Sequence, residues 1–412
     1  MSAVLLFSLT LLVAVLFSEL AERSVLSAAV LFLGVGILSG EEMLGILPLK
    51  PDDLAVSTFA ELALFSVLFV DGMRLSLRDL TRAWRLPGRA LILGLPLTLL
   101  VTAMLAHLLV GFSWAESFLL GAVLSPTDPV FASAIVGRDE VPSRLRLLLN
   151  VESGINDGLA LPLVVTLLAV VSSDSVSPVF LIGQVALGLA IGIAIPLAAI
   201  FVQRIRVLRA HSRYQPLFGF AIGLVVLSMA KLLHGNEFLA AFSAGITVSS
   251  SDGAAKRAFL EFGELIAELL KLAALLVFGS LLQPSTLLGI SWQGYLFSFL
   301  VLVVARPLAI ALALWRSPLG NRERVTAAWF GPKGFASVVF SLWVYEAGSR
   351  SGFGWENAER LAALAGLCIA VSIVAHSSTD IVVVRWFRST EDEENQRKAH
   401  SREIEQTAAN RL

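Results

Sequence analysis

Val123-Leu124-Ser125-Pro126-Thr127-Asp128-Pro129-Val130-Phe131 sets two prolines, two hydroxyls and a carboxylate inside an apolar run. About half the chain further on, Trp329-Phe330-Gly331-Pro332-Lys333-Gly334-Phe335 repeats the pattern with a proline and a lysine between two glycines. A proline removes an amide donor from a helix and clashes with the preceding turn. Each stretch therefore reads as a helix interrupted at its middle, with a charge at the interruption. A charge at the centre of a bilayer costs on the order of 3 kcal/mol or more, so these groups must face protein or water and handle something polar.

Composition fixes the class around these two breaks. Hydrophobic residues make up 56% of the chain and charged residues 15%, with a mean hydropathy of +0.80, which excludes an ordinary soluble domain. Runs long enough to cross a bilayer fall near 2–20, 24–40, 55–73, 88–110, 115–136, 146–172, 178–203, 214–234, 237–251, 260–282, 292–315, 325–346 and 359–386. These runs are continuous rather than alternating, so the expected fold class is an all-α polytopic membrane protein of about thirteen helices, and a barrel is excluded. No Lys or Arg precedes the first run and no small-residue cleavage site follows it, so it is expected to stay as a helix.

Counting Lys and Arg in alternate loops separates two sides. One set of loops carries Arg23, the groups from Arg74 to Arg89, Arg138 to Arg146 and Arg204 to Arg213, then Lys256, Arg257 and Arg316 to Arg324. The C-terminal tail adds more on that side, whereas the opposite loops hold only Lys50, Lys231, Arg350 and Arg360. The bias predicts an N-terminus outside and a cytoplasmic C-terminus in a multi-pass cell membrane protein surrounded by lipid. A net charge of −1 gives no sign of nucleic acid, and neither a soluble partner nor a soluble catalytic domain is expected. Cys368, the single cysteine, lies in an apolar run and reads as core packing. Residues 389–412 are polar with mixed charge and read as a short solvated tail, helical in part.

The two interrupted spans, the fifth and the twelfth, are separated by an odd number of crossings and so run in opposite orientations. That is the pattern of an inverted repeat whose broken helices meet near the bilayer midplane. Unwound backbone there offers carbonyls to cations and half-helix N-termini to anions. In the sixth span lies Asn150-Val151-Glu152-Ser153-Gly154-Ile155-Asn156-Asp157-Gly158. Glu152 and Asn156 are i,i+4 on a helix, as are Ser153 and Asp157, so the four share one broad face. Burial favours the protonated form of a carboxylate and a nearby cation favours the ionised form. If Asp157 and Asp128 converge on a cavity of hydroxyl and carbonyl oxygens, it suits a hard monovalent cation. Competition between that cation and a proton, at a site open to each side in turn, is sufficient for exchange.

Counter-charges follow from the cost of burial. Arg306, inside the eleventh span, needs a carboxylate, and Glu152 is its natural partner. Lys333 either neutralises helix-end dipoles or biases the ion site. Glu264, Glu268 and Lys271, at i,i+4 and i,i+3, read as a self-compensating patch at a domain or dimer interface outside the ion path. His107 and His376 read as packed or hydrogen-bonded histidines, not as a proton relay.

Thr127-Asp128-Pro129, Glu152-Ser153-Gly154-Ile155-Asn156-Asp157, Leu68-Phe69-Val70-Asp71-Gly72, the intramembrane Arg306 and the Gly331-Pro332-Lys333-Gly334 break together resemble the monovalent cation/proton antiporters, in their NhaP-like sodium/proton exchanger branch, over about residues 1–386. The resemblance implies a homodimer with an ion-translocating core over 88–172 and 292–386. This core would move like an elevator against a dimerisation scaffold over 1–87 and 178–282. It implies Asp157 as the carboxylate shared by proton and cation, Asp128, Ser153 and the Thr127 carbonyl as further ion ligands, and Glu152–Arg306 as a structural pair. Asn156 fills the position where electrogenic relatives carry a second aspartate; an amide cannot titrate, so electroneutral exchange of one proton for one cation, sodium first, is implied. Potassium and lithium are the alternative cargoes, and no cofactor or resident metal is implied. Asp71 matches an acidic position lining the cytoplasmic approach, with an ordinary helix-end acid beside Arg74 as the competing reading. Lys333 stands where many relatives have arginine and lacks the planar fork of that residue.

Other classes fit less well. A passive channel needs a filter of stacked carbonyls or charged rings, and no such repeated sequence is present. An intramembrane enzyme needs a nucleophile–base pair or zinc ligands, and neither pattern occurs. A transporter of organic solutes would share the broken helices, but the aromatic residues form no legible stacking pocket.

Overall fold

The computed structural model describes residues 3–17, 27–50, 53–74, 84–128, 140–172, 178–203, 205, 214–250, 254–350 and 355–409. Pro129, Arg138 and much of the arginine-rich loops, on which part of the sequence reading falls, lie outside the described residues. Among the described residues there are helices and no strands, as backbone in hydrocarbon requires, since each amide must be satisfied within its own segment.

In chain order, and leaving aside a single turn at Pro284–Leu288, the helices are α1 (Ala3–Leu16), α2 (Ala28–Ser39), α3 (Leu54–Arg74), α4 (Arg85–Val110), α5 (Trp114–Leu124), α6 (Ser143–Val171) and α7 (Pro178–Gln203). Then come α8 (Gln215–Leu232), α9 (Glu237–Ser249), α10 (Ala254–Leu281), α11 (Trp292–Ala313), α12 (Asn321–Trp329), α13 (Phe335–Arg350) and α14 (Trp355–Ala409). Among the described residues, six segments are long and apolar enough to cross a membrane by themselves: Val56–Arg74, α4, α6, Ile182–Gln203, α11 and Glu356–Arg388. Shorter apolar helices accompany them. The run expected to span over 260–282 belongs to α10, whose middle carries Glu264, Glu268 and Lys271. The polar segment after residue 389 continues α14 as helix to Ala409.

Local sequence explains several of the ends. Ser113 and Glu116 exchange side-chain and backbone bonds in a capping box that starts α5. Asn236 caps α9 through Phe238 and Leu239 N–H. Pro96 and Pro307 have no amide to give the carbonyl four residues back, and a widened π-helical turn precedes each, at Ala90–Gly94 and Val301–Ala305. The second of these turns ends at Arg306 and so sets the direction of its side chain.

The helices pack most extensively within two sets. One contains α2, α3, α7, α8, α9 and α10, and its crossings are close because glycines meet backbone: a Cβ on Gly72 would strike the Phe242 carbonyl, and one on Gly245 the Phe69 carbonyl. The other contains α4, α5, α6, α11, α12, α13 and α14. They meet where α6 leans on α3 and α9, and where α13 leans on α3 and α10.

Candidate functional site

Helix α5 ends at Leu124, and Ser125–Asp128 run on without helical structure. Helix α12 ends at Trp329, and Phe330–Gly334 are likewise non-helical before α13 begins. The two irregular stretches touch: the Asp128 N–H donates to the Pro332 carbonyl at 3.0 Å, and the Phe335 N–H donates to Asp128 Oδ2 at 3.4 Å. Asp128 therefore sits at the positive end of α13, where a carboxylate is favoured. The approach demands a residue without a side chain, since a Cβ on Gly334 would overlap the Asp128 Cβ.

Helix α6 supplies the facing wall. Asn156 holds the Thr127 residue at two points, accepting from its N–H at 3.4 Å and donating from Nδ2 to its hydroxyl at 2.7 Å. The Ser153 and Thr127 hydroxyls are 3.1 Å apart. Thr127, Asp128, Ser153, Asn156 and Asp157 are all buried. Asp157 differs from the others in one respect: its Oδ1 is enclosed by protein and has no hydrogen-bond partner among the described residues. A buried carboxylate oxygen without a donor is uncommon, because the desolvation is then uncompensated. Asp128, Asp71 and Lys271 are the charges near enough to act on it. This cluster offers carboxylate and hydroxyl oxygens and one free acceptor, which is the donor set for a proton or a hard cation.

The structure divides the other expected residues into two groups. Glu152 and Arg306 meet as a forked pair, with Nη1 to Oε1 at 2.7 Å and Nη2 to Oε2 at 3.2 Å. Nη2 also donates to the Phe330 carbonyl at 3.0 Å, so the pair closes the exposed end of α12. Gly331 makes room, since a Cβ there would run into the Arg306 guanidinium. Lys333 is buried with them: its backbone N–H donates to Ser372 Oγ at 2.9 Å, while its Nζ has no hydrogen-bond partner among the described residues. The charged side chains that act on it are Arg306 and Glu152, so it groups with the break. His376 bridges the same break, with one ring nitrogen 2.7 Å from the Ser372 carbonyl and the other 3.0 Å from the Trp329 carbonyl. His107 packs flat on Trp114 and bonds the Phe112 carbonyl.

Asp71, near the end of α3, pairs with Arg74 at 3.3 Å, and Arg74 in turn bonds Glu264 at 3.0 Å. The acid cluster on α10 is therefore only partly self-compensating, through Glu268 and Lys271. Glu264 is taken by Arg74, and Lys271 reaches away from its own helix to Asp128, Nζ to Oδ1 at 3.5 Å. Lys271 is the site residue that the sequence reading left out. The signal was present: beyond Lys271 the helix is Leu272-Ala273-Ala274-Leu275-Leu276-Val277-Phe278, and a lysine entering such a run must find its carboxylate on another element.

With this geometry in place, comparison with known proteins identifies the family. The model of the sodium/hydrogen exchanger transmembrane domain matches residues 7–385. The chain belongs to the sodium/hydrogen exchanger family. This family of cation/proton antiporters consists of multi-pass membrane transporters, and relatives place the chain in its NhaP branch. The K(+)/H(+) antiporter NhaP of Alkalimonas amylolytica is 26% identical over 392 residues, covering 93% of this chain and 67% of that protein. The K(+)/H(+) antiporter NhaP2 of Shewanella oneidensis is 27% identical over 345 residues, covering 82% of this chain and 59% of that one. The chain thus spans between 59% and 67% of the length of these curated relatives. The sodium proton antiporter MjNhaP1 from Methanocaldococcus jannaschii, solved at pH 8, superposes with a TM-score of 0.76 at 19% identity, covering 93% of this exchanger-family chain and 97% of the other. At that identity the likeness is one of fold.

Proposed function

We propose that this exchanger-family chain carries a monovalent cation one way and a proton the other through the site of Asp157, Asp128, Ser153 and Thr127. The observation that carries the reading is the buried Asp157 Oδ1 with no partner among the described residues, beside a second carboxylate held at a helix N-terminus. In one state the cation lies between the Asp157 and Asp128 carboxylates, with the Ser153 hydroxyl and the Thr127 carbonyl completing its oxygen shell. In the other, Asp157 holds the proton. Because one oxygen serves both, they exclude each other, and a site that faces each side in turn couples the two flows.

The remaining parts of the proposal concern architecture and cargo. We assign thirteen membrane spans, with α12 and α13 as one broken span and α5 as the first half of another, related as an inverted repeat. The N-terminus is outside and the C-terminus is cytoplasmic in the cell membrane. The core of residues 88–172 and 292–386 moves as an elevator against a homodimeric scaffold of 1–87 and 178–282; the two sets of mutually packed helices support that division. Asn156 is committed to Thr127 through both ends of its amide and carries no titrating group, which supports electroneutral exchange. Sodium is the first candidate cargo and potassium the alternative; the named cargo differs between the relatives, potassium in the two curated antiporters and sodium in the solved one.

The test is proton flux in proteoliposomes with lithium, sodium or potassium added in turn. Cation-driven flux that is lost in Asp157→Asn and unaffected by an imposed membrane potential is expected. Full exchange in Asp157→Asn would overturn the mechanism. Voltage-dependent flux would remove only electroneutrality, and cation flux indifferent to the proton gradient would favour a passive channel.

A further inference from the structure

Lys271 lies on α10, in the helix set that packs with α2, α3 and α8, whereas Asp128 lies in the other set between α5 and α13. Both are buried, at 5% and 2% exposure, so neither charge can exchange its partner for bulk water. Their separation is 3.5 Å, well beyond the roughly 2.7–2.9 Å of a fully formed charge-assisted bond. The contrast is with Glu152–Arg306, where a fork of 2.7 and 3.2 Å is reinforced by a backbone carbonyl. One buried ion pair is a close fork braced by a carbonyl; the other stands open at 3.5 Å. The charged groups facing Lys271 are Asp128, Asp71 and Arg74 from neighbouring elements and Glu268 from its own helix.

We propose that the Lys271 ammonium is a tethered monovalent cation that occupies the Asp128 arm of the ion site and competes with the transported cation for it. This rests on the reading of Asp128 as an ion ligand given above. An ammonium and an alkali cation carry the same charge and seek the same carboxylate oxygen. With Lys271 against Asp128, the pair of site carboxylates retains one uncompensated negative charge, room for one cation and no more. An arriving cation must draw Asp128 away from the ammonium, so the lysine sets how tightly the cargo is held and speeds its departure by returning to the same oxygen. The mechanism needs the permanent charge of Lys271 and not its titration.

The experiment measures the cation KM and the maximal rate of proton exchange in proteoliposomes for the wild-type chain, Lys271→Gln and Lys271→Arg, with sodium chloride and with potassium chloride at constant ionic strength. Gln keeps an N–H for Asp128 Oδ1 and loses only the charge, so it retains the buried contact that Met would remove. For Lys271→Gln the KM should fall about tenfold, the scale of one contact to a charged group, with the maximal rate unchanged or lower. Lys271→Arg restores the charge and should bring the KM back to the wild-type value or above it. A KM in Lys271→Gln equal to or higher than wild type would overturn the proposal, as would an Arg variant that behaves like Gln. A wild-type chain without cation-driven flux would overturn the exchange reading itself, and this one with it.

Discussion

Arg306→Ala should damage the fold far more than it damages ion binding. The substitution removes both arms of a buried pair to Glu152, at 2.7 and 3.2 Å, and the 3.0 Å bond that satisfies the Phe330 carbonyl. Glu152 is 3% exposed, so its charge would be left without partner or water. Breaking one side of a buried pair costs about 3–5 kcal/mol, against a typical folded stability of about 5–15 kcal/mol. The loss of the carbonyl's donor adds to it, at about 1–3 kcal/mol for an orphaned buried acceptor. The assay is folded yield and melting temperature by size-exclusion chromatography in detergent, followed by cation KM on whatever protein survives. A strongly reduced yield with a KM near the wild-type value is expected. The double variant Glu152→Leu with Arg306→Met removes both charges at similar volume and should recover most of the lost melting temperature, as buried pairs replaced by apolar side chains commonly do. An Arg306→Ala protein that melts like wild type but binds the cation poorly would refute the structural role and put Arg306 in the ion path.

Three further outcomes follow from the site. Gly334→Ala forces a methyl group into the Asp128 Cβ, at a cost of about 3 kcal/mol or a shifted break, whereas Gly154→Ala, which meets nothing within 4 Å, should fold and exchange normally; the pair can be compared by melting temperature and flux. Competition between proton and cation at Asp157 makes the apparent cation KM rise as pH falls, by about tenfold per unit once the proton form dominates, with the maximal rate little changed; a KM flat across pH would count against a shared site. Asn156→Ala removes two bonds to Thr127, at 3.4 and 2.7 Å, and should lower the melting temperature by the equivalent of about 1–3 kcal/mol while raising the cation KM, because the Thr127-Asp128 stretch loses its support.

The sequence by itself determined what each segment must avoid. Continuous apolar runs required helices, prolines beside charges located both interruptions, and the cost of a buried guanidinium named Glu152 as the partner of Arg306 before any contact was known. Helical spacing likewise put Ser153, Asn156 and Asp157 on one face. These are local or pairwise arguments, and local sequence suffices for them. Which side of a charged helix turns toward which neighbour is not local. Glu264, Glu268 and Lys271 stand within reach of one another at i,i+3 and i,i+4, yet α10 packs against α3 and also reaches the Asp128 break. Glu264 therefore goes to Arg74 and Lys271 to Asp128. Lys333 shows the same limit, since its place in the break was legible but only packing buried it where Arg306 and Glu152 act on it. Burial compels each charge to find a partner; only the tertiary arrangement of helices far apart in the chain decides which partner is within reach.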